Sequence, residues 1–466
     1  MHRRQLKEYQ KSCWFVYLIL RKGRTINTIA KTEPIVVNLL NFLNGEHLLA
    51  LAKQSGFIKR TPRKLDLNRF LVTLFLSVLH GSTALSWLAI KMGQLQERTI
   101  SKQAICKRMN TQLECFLELV LAHTLKTRLE IFRPVGLSRL PFKRILVHDS
   151  TTLALPARLA AHYPGSKNRL QKDSASVKIQ TVYDLLQETF VWFYFTPFTV
   201  NDQHIASTTS TQFVRSGDLL IRDLGYFVFS AMEELQSLGA FFLTRLRYGT
   251  VLFDPHTGER INLLNVLQNG QQCDRQVLVG AEKQLRARLV AVPVPPNIAQ
   301  ERRRRLRANR DLRANPSKEH LATMGWSIFL LNVDDEILPP DEVVALYGLR
   351  WRIEIIFKAW KSHFHKIKFS AFNSARQVRV TLYALCIFVT LFHCLIVAPL
   401  NSITGTNALE RPMSLIKLAR YFKELFIAAV FFLFPPHNLW QQLRYHAQYE
   451  RRADRLNYVQ KKALLS

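Results

Sequence analysis

The sequence predicts an α/β layered fold at its centre, interrupted by a β-rich segment and flanked by two helical, basic regions. Three observations carry this. From Lys143 to about residue 247, β-branched and aromatic runs alternate with helical stretches, the order that builds a sheet covered by helices. Residues 247–326 then hold short strand-like pieces punctuated by turn signals. The charge is also uneven. The 466 residues hold 65 Lys and Arg against 34 Asp and Glu, a net +31, of which residues 1–140 carry +15, residues 351–466 carry +12 and residues 141–350 only +4. With 48% hydrophobic and 21% charged residues the chain is a folded globular one, which excludes bulk disorder and collagen-like classes. A surplus of this size needs an anionic partner, either nucleic acid or an acidic membrane surface.

Taken in order, Leu67–His80 is a helical apolar run stopped at Gly81, and Ser82 or Thr83 can cap a second helix through Lys91. After the polar connector Gly93–Arg98, the stretch from Ser101 to about Leu125 reads as one helix. Short helix, turn and basic helix are compatible with a helix-turn-helix, and equally with an ordinary bundle. RILVHDS is a strand ending in Asp149; residues 176–186 and 189–200 are two more strands, joined near Gln187. Helix Asp202–Val214 follows, then the strand GDLLIRD ending at Asp223, a helix to Leu238 and the strand FFLTRLR. Asp218, after Ser-Gly, reads as a turn residue. The interruption carries Asp254-Pro255, Thr257-Gly258 and Asn269-Gly270, the strand RARLVAVPV, and a run with seven arginines from Arg302 to Arg313. For that run, phosphate contact through Arg302, Arg303, Arg304 and Arg305 competes with a solvated helix face. TMGWSIFLLNV resumes as a strand, and Pro339-Pro340-Asp341-Glu342 starts a helix that continues to about Phe364. The expected divisions are therefore 1–140 helical and basic, 141–246 the first part of the α/β domain, 247–326 the β-rich insertion, 327–372 its second part, and 373–466 helical and basic.

Six cysteines without CxxC or paired Cys/His spacing argue against zinc and against a disulfide framework; buried thiols in a reducing cytoplasm are the expectation. The basic N-terminus before Cys13–Leu20 does not read as a signal peptide, because Arg21, Lys22 and Arg24 stand where a cleavage site would be. Val380–Leu400 has no formally charged side chain and is long enough to span a bilayer; a core helix covered on all sides is the expected reading. Leu425–Phe434 is similar but short.

The chemistry concentrates in the helix from Asp341. At about 100° per residue, Tyr347, Arg350, Glu354 and Lys361 fall within a stripe of about 60° and about 21 Å long. Ile353, Ile355, Ile356, Phe357 and Trp360 occupy the other faces, so the stripe faces something polar rather than bulk water. One carboxylate among two cations and a phenol suits a site holding a metal and a phosphodiester. A salt-bridged surface is the structural alternative, since i, i+4 Arg–Glu pairs are common. Asp149 and Asp223, at the ends of predicted strands, lie where α/β sheets place ligands. With Glu354 they make an all-oxygen trio for Mg²⁺ or Mn²⁺, and two such ions could drive an in-line phosphoryl displacement.

The spacing Tyr-x2-Arg-x3-Glu-x6-Lys in YGLRWRIEIIFKAWK resembles the YREK signature of DDE insertion-sequence transposases, the IS-four family. HDSTTLALP at Asp149 and DLGYF at Asp223 resemble the family's other two blocks, and FLTRLR around Arg245 resembles the strand before its inserted β domain. The resemblance covers about residues 140–370; the two ends match only in size and basicity. It implies an RNase H-like catalytic domain interrupted by a β-rich insertion, cutting and joining double-stranded DNA at terminal inverted repeats with two Mg²⁺ or Mn²⁺ ions. Asp149, Asp223 and Glu354 would be metal ligands, while Tyr347, Arg350, Lys361 and Arg245 would contact DNA. Trp326 is a candidate to stack on a flipped base, with a packed strand tryptophan as the alternative. Synapsis of two ends implies a homodimer, acting in the cytoplasm on the nucleoid without a membrane. A non-transposing nuclease, an inactive copy that represses by binding ends, and a membrane-attached basic protein are the competing readings. His148 is outside the family's pattern and has no role on this reading.

Overall fold

A computed structural model describes residues 42–43, 45–59, 66–96, 100–126, 139–166, 174–267, 270–282, 285–308, 315–364, 372, 374–400, 413–431 and 456–465. The N-terminal basic stretch, Arg310, Arg313 and the end of Leu425–Phe434 lie outside them.

Among the described residues, β1 (Arg144–Leu155), β2 (Ala175–Asp184), β3 (Thr189–Pro197), β4 (Asp218–Arg222), β5 (Phe241–Arg245), β6 (Leu252–Phe253), β7 (Cys273–Val279), β8 (Leu285–Pro293) and β9 (Trp326–Leu331) form one mixed sheet. Its order is β3-β2-β1-β4-β5-β9-β8-β7-β6. β1, β2 and β3 are an antiparallel meander, whereas β4 runs parallel to β1 and β5 parallel to β4. The β-rich segment does not form a layer of its own. β9 pairs antiparallel with β5 on one side and β8 on the other, so β8, β7 and β6 prolong the central sheet. A division at residue 326 therefore cuts through β9, whose otherwise open edge the added strands cover.

Side-chain alternation sorts the strands onto two cores. Ile145, Val147, Leu219 and Ile221 face a large core shared with the flanking helices, while Leu146, Leu220 and Leu330 face a smaller one on the opposite side. The large core gathers, on one face of the sheet, helices that precede it and follow it in sequence, Leu67–His80 and Thr111–Lys126 with Ala375–Phe392 and Leu415–Phe431, and includes Phe75, Phe388, Phe422 and Phe426. Val380–Leu400 lies within Ala375–Leu400, whose most apolar window is 94% buried, so this is a core helix.

Local chemistry explains where the elements start and stop. Asp66 accepts from the Arg69 N–H to cap Leu67–His80, and Gly81 ends that helix at φ 72° in the left-handed region. The single helix expected from Ser101 to Leu125 is two, Lys102–Arg108 and Thr111–Lys126. Asn110 causes the break, its Oδ1 accepting from the Leu113 N–H at 2.9 Å and starting the second helix. Asp218 is a structural residue as expected: its carboxylate accepts from the Arg215 N–H at 2.7 Å and pairs with Arg144.

The β2–β3 turn carries a buried carboxylate. Glu188, at φ 51°, pairs with Arg352 at 2.9 Å and accepts from the Tyr183 and Tyr458 hydroxyls at 2.8 and 2.7 Å. Burial alone would raise its pKa, but Arg352 and Lys462 outweigh it and hold the carboxyl at about 2, against 4.5 ordinarily. The depressed value makes this stabilisation complete above about 4.5 and lost as pH falls toward 2, a loss of roughly 3 kcal/mol. Urea denaturation from pH 6 to pH 3 is expected to show the decline, with a flatter profile in Glu188→Gln; identical slopes in the two would contradict it.

Candidate active site

The two strand aspartates meet because of how β1 and β4 end. β1 is longer than predicted and runs past Asp149 to Leu155, so Asp149 is not a strand terminus. Its parallel pairing with β4, however, stops at His148↔Arg222. Asp149 is thus the first residue beyond that ladder on one strand and Asp223 the first beyond it on the other. β1 persists because β2 still pairs with it through Leu155.

The third carboxylate arrives on a broken helix rather than the continuous one expected. Pro340–Gly348 and Trp351–Ala359 are separate helices, and Trp360–Phe364 is a π-helical turn. At the break the bonding tightens to i−3, with Leu349, Arg350, Arg352 and Ile353 N–H donating to Leu346, Tyr347, Leu349 and Arg350 carbonyls. The regular stripe is therefore bent at Arg350. Lys361, in the π turn, is exposed and paired with none of the other three.

Arg350 is the hub. Its Nη1 lies 3.4 Å from Asp149 Oδ2 and its Nη2 donates to Glu354 Oε1 at 2.7 Å. Tyr347 Oη donates to Asp223 Oδ1 at 3.2 Å. The guanidiniums of Arg350 and Arg245 lie 5.8 and 5.3 Å from the Tyr347 ring centre, and Phe329 of β9 packs on the same ring at 5.1 Å. The Nε atoms of Arg245 and Arg350 are buried without a partner among the described residues.

Burial pushes the Asp149 carboxyl up to about 6; the Ser150 N–H and Arg350 oppose this, and Glu354 and Asp223 reinforce it. Burial and Asp223 likewise push the Tyr347 phenol up to about 12. The Asp149 carboxyl thus feels the charges of both Glu354 and Asp223. As the side chains stand, no three His, Cys, Asp or Glu among the described residues converge on one point. The donor set is carboxylate oxygen alone, with net negative charge concentrated beside Arg350, which fits a hard divalent cation.

The described part of the arginine run is helical, Pro296–Arg307, and its side chains divide by what they contact. Arg302 donates to the Trp326 carbonyl at 2.9 Å and Arg303 to the Leu321 carbonyl at 3.0 Å, holding β9 and the short helix Lys318–Thr323. Arg304 and Arg305 are 75% and 77% exposed, both paired with Glu301. Trp326 is a partly exposed strand residue in register with Pro293. Burial, and secondarily the Arg245 charge, depress the Arg302 pKa.

Several residues at the site were not singled out from the sequence. His148 is fully buried, its pKa driven well below the ordinary value by burial and by Arg222. Gln180, Arg222 and Tyr226 bond around it. The available signal was a polar residue inside each apolar run: His148 in RILVH, Gln180 in SVKIQ and Arg222 in LLIR.

Asp149 and Asp223, each one residue past the β1–β4 ladder, thus stand with Glu354 around Arg350 and Tyr347. The Transposase DDE domain family matches residues 140–389, more than half of the chain. The chain belongs to this family, as a DDE transposase of the insertion-sequence, IS-four type. It is 27% identical over 383 residues to the transposase for insertion sequence element IS231F of Bacillus thuringiensis subsp. israelensis, covering 78% of this chain and 79% of that one. It is 29% identical over 378 residues to the IS231D transposase of Bacillus thuringiensis subsp. finitimus, covering 76% and 78%. With the IS1151 transposase of Clostridium perfringens the identity is 25% over 373 residues, covering 73% and 77%.

Proposed function

We propose that the chain cleaves DNA at the terminal inverted repeats of an insertion sequence and transfers the freed ends to a target, with Asp149, Asp223 and Glu354 as the metal-binding trio. The observation that carries this is the connection of all three, from three separate elements, through Arg350 and Tyr347. The strand order β3-β2-β1-β4-β5, antiparallel through β1 and parallel beyond it, supports an RNase H-like core with β6–β8 as its insertion. Two Mg²⁺ or Mn²⁺ ions held by the trio would activate the attacking oxygen and stabilise the leaving one.

The chain's own groups do the rest. Arg350 and Tyr347 hold the scissile phosphate beside the carboxylates, Arg245 and Lys361 grip its neighbours, and Arg304 and Arg305 contact the backbone farther out. Within the run, Arg302 acts through β9 and Arg303 through the short helix before it, and Trp326 at the start of β9 remains the proposed stacking residue. A homodimer brings two ends together.

Cleavage of the element's own ends by purified chain with Mg²⁺ tests the reading. Short inverted repeats bounded by target duplications around the reading frame would favour it over a stand-alone nuclease; ends bound and never cut would favour a repressor. Arg350→Ala is expected to lower strand transfer by about 100-fold or more while moving Tm by only a few degrees. A variant that unfolds would instead make Arg350 a structural residue.

A further inference from the structure

We infer that His148 and Arg222 form a positioning pair that fixes the separation of Asp149 and Asp223 from the opposite face of the sheet; this rests on the reading of those aspartates given above. Each of the two immediately precedes an aspartate, and they are register partners on the last rung of the parallel β1–β4 ladder. Because strand side chains alternate, the aspartates face the helix bearing Glu354 while His148 and Arg222 point into the smaller core. There Arg222 Nε donates to His148 Nδ1 at 3.1 Å.

A guanidinium only donates, so His148 Nδ1 is an acceptor and the ring proton sits on Nε2. That nitrogen donates to Gln180 Oε1 at 3.2 Å, which also accepts from the Tyr226 hydroxyl at 2.7 Å. Gln180 Nε2 continues to Asp202 Oδ1 at 2.8 Å, and Arg222 Nη2 donates to Ser210 Oγ at 2.9 Å. The rings of Trp192, Phe213 and Tyr226 surround the imidazole at 5.9, 5.5 and 4.5 Å.

Arg222 is 6% exposed and has no ion pair among the described residues. Burying a guanidinium against an imidazole and a hydroxyl is a costly way to stabilise a core that apolar side chains would fill as well. What this pair supplies is direction. The bond ties the two strands at the point where their ladder ends, so the last rung neither slides nor frays. Sites of this kind tolerate misplacement of only about 0.5 Å, and residues that orient ligands typically contribute about 10–100-fold.

The test uses the full chain and compares His148→Asn with His148→Gln. The asparagine amide oxygen stands near the Nδ1 position and keeps an acceptor for Arg222; the glutamine substitution reaches the Nε2 position and loses it. Positioning requires His148→Asn to cleave within about threefold of the parent and His148→Gln to fall about 10–100-fold, with end binding equal in both. The Mg²⁺ concentration that half-saturates the metal-induced rise in Tm should increase about 10-fold or more in His148→Gln alone. Equal cleavage and equal Mg²⁺ half-points in the two variants would overturn the pair. If His148→Gln fails to fold, Arg222→Gln, which keeps an N–H donor, is set against Arg222→Met, which has none; the second must be slower, and equal rates overturn the inference. Asp149→Ala separates the two levels. Normal cleavage there refutes the carboxylate reading itself, whereas a dead Asp149→Ala beside matched His148 variants refutes only the pair.

Discussion

Asp149→Ala, Asp223→Ala and Glu354→Ala are each expected to reduce cleavage of the element's ends by about 10⁴-fold or more while leaving end binding within about threefold. The three side chains come from β1, the residue after β4 and a helix some 130 positions later, so no one of them can replace another. Their loss opens little apolar volume, because the Asp149 and Glu354 side chains remain 20% and 31% exposed. Each substitution also leaves Arg350 with a remaining carboxylate partner or with both. Removing negative charge from a surface that meets phosphate does not weaken the encounter. Binding and chemistry therefore separate, and gel-shift and cleavage assays on the same preparations read them independently. Asp149→Asn keeps the shape of the side chain and should be as inactive as the alanine. A variant with full activity would remove that residue from the trio.

The chemistry was legible in the sequence further than the geometry. Tyr347, Arg350 and Glu354 were found from spacing alone, and the structure brings all three to the strand aspartates. A 100° projection takes the helix as continuous, and the tightened turn at Leu349–Arg350 is invisible in it because both residues keep right-handed helical torsions. Asp149 was read as a strand end because polar residues follow it. Ser150 and Thr151 instead stay in β1, since β2 offers pairing well beyond the point where β4 stops. The β-rich segment is legible from its turns, which say nothing about which edge it joins; that depends on β9 leaving an edge open to β8. Arg302 and Arg304 look alike in a run of arginines, and only the β9 carbonyl beside one of them tells them apart. His148, Gln180 and Arg222 are single polar residues in apolar strands, and their partners are 32 and 74 positions apart in sequence. Pairings over such separations carry no local periodicity.

End binding is expected to fall by about 10³–10⁵-fold between 50 and 200 mM salt, if about six to ten phosphates are gripped. The charge distribution requires a dependence of this kind. Of the net +31, all but +4 lies in residues 1–140 and 351–466, outside the stretch that holds both aspartates. Each phosphate contact contributes about −0.9 to the slope of log affinity against log salt. Replacing the exposed Arg304 and Arg305 together by alanine should reduce that slope by about two. The chemical step should respond differently. Arg350 and Tyr347 are largely buried and already bonded to carboxylates, so salt screens them far less than the exposed arginines. Cleavage by preassembled complexes should accordingly vary with salt much less than assembly does. Fluorescence anisotropy over a salt series, followed by Mg²⁺-triggered cleavage at each point, measures both. A nearly flat binding slope would contradict the clamp, and equal slopes for binding and cleavage would place the exposed arginines in the chemistry.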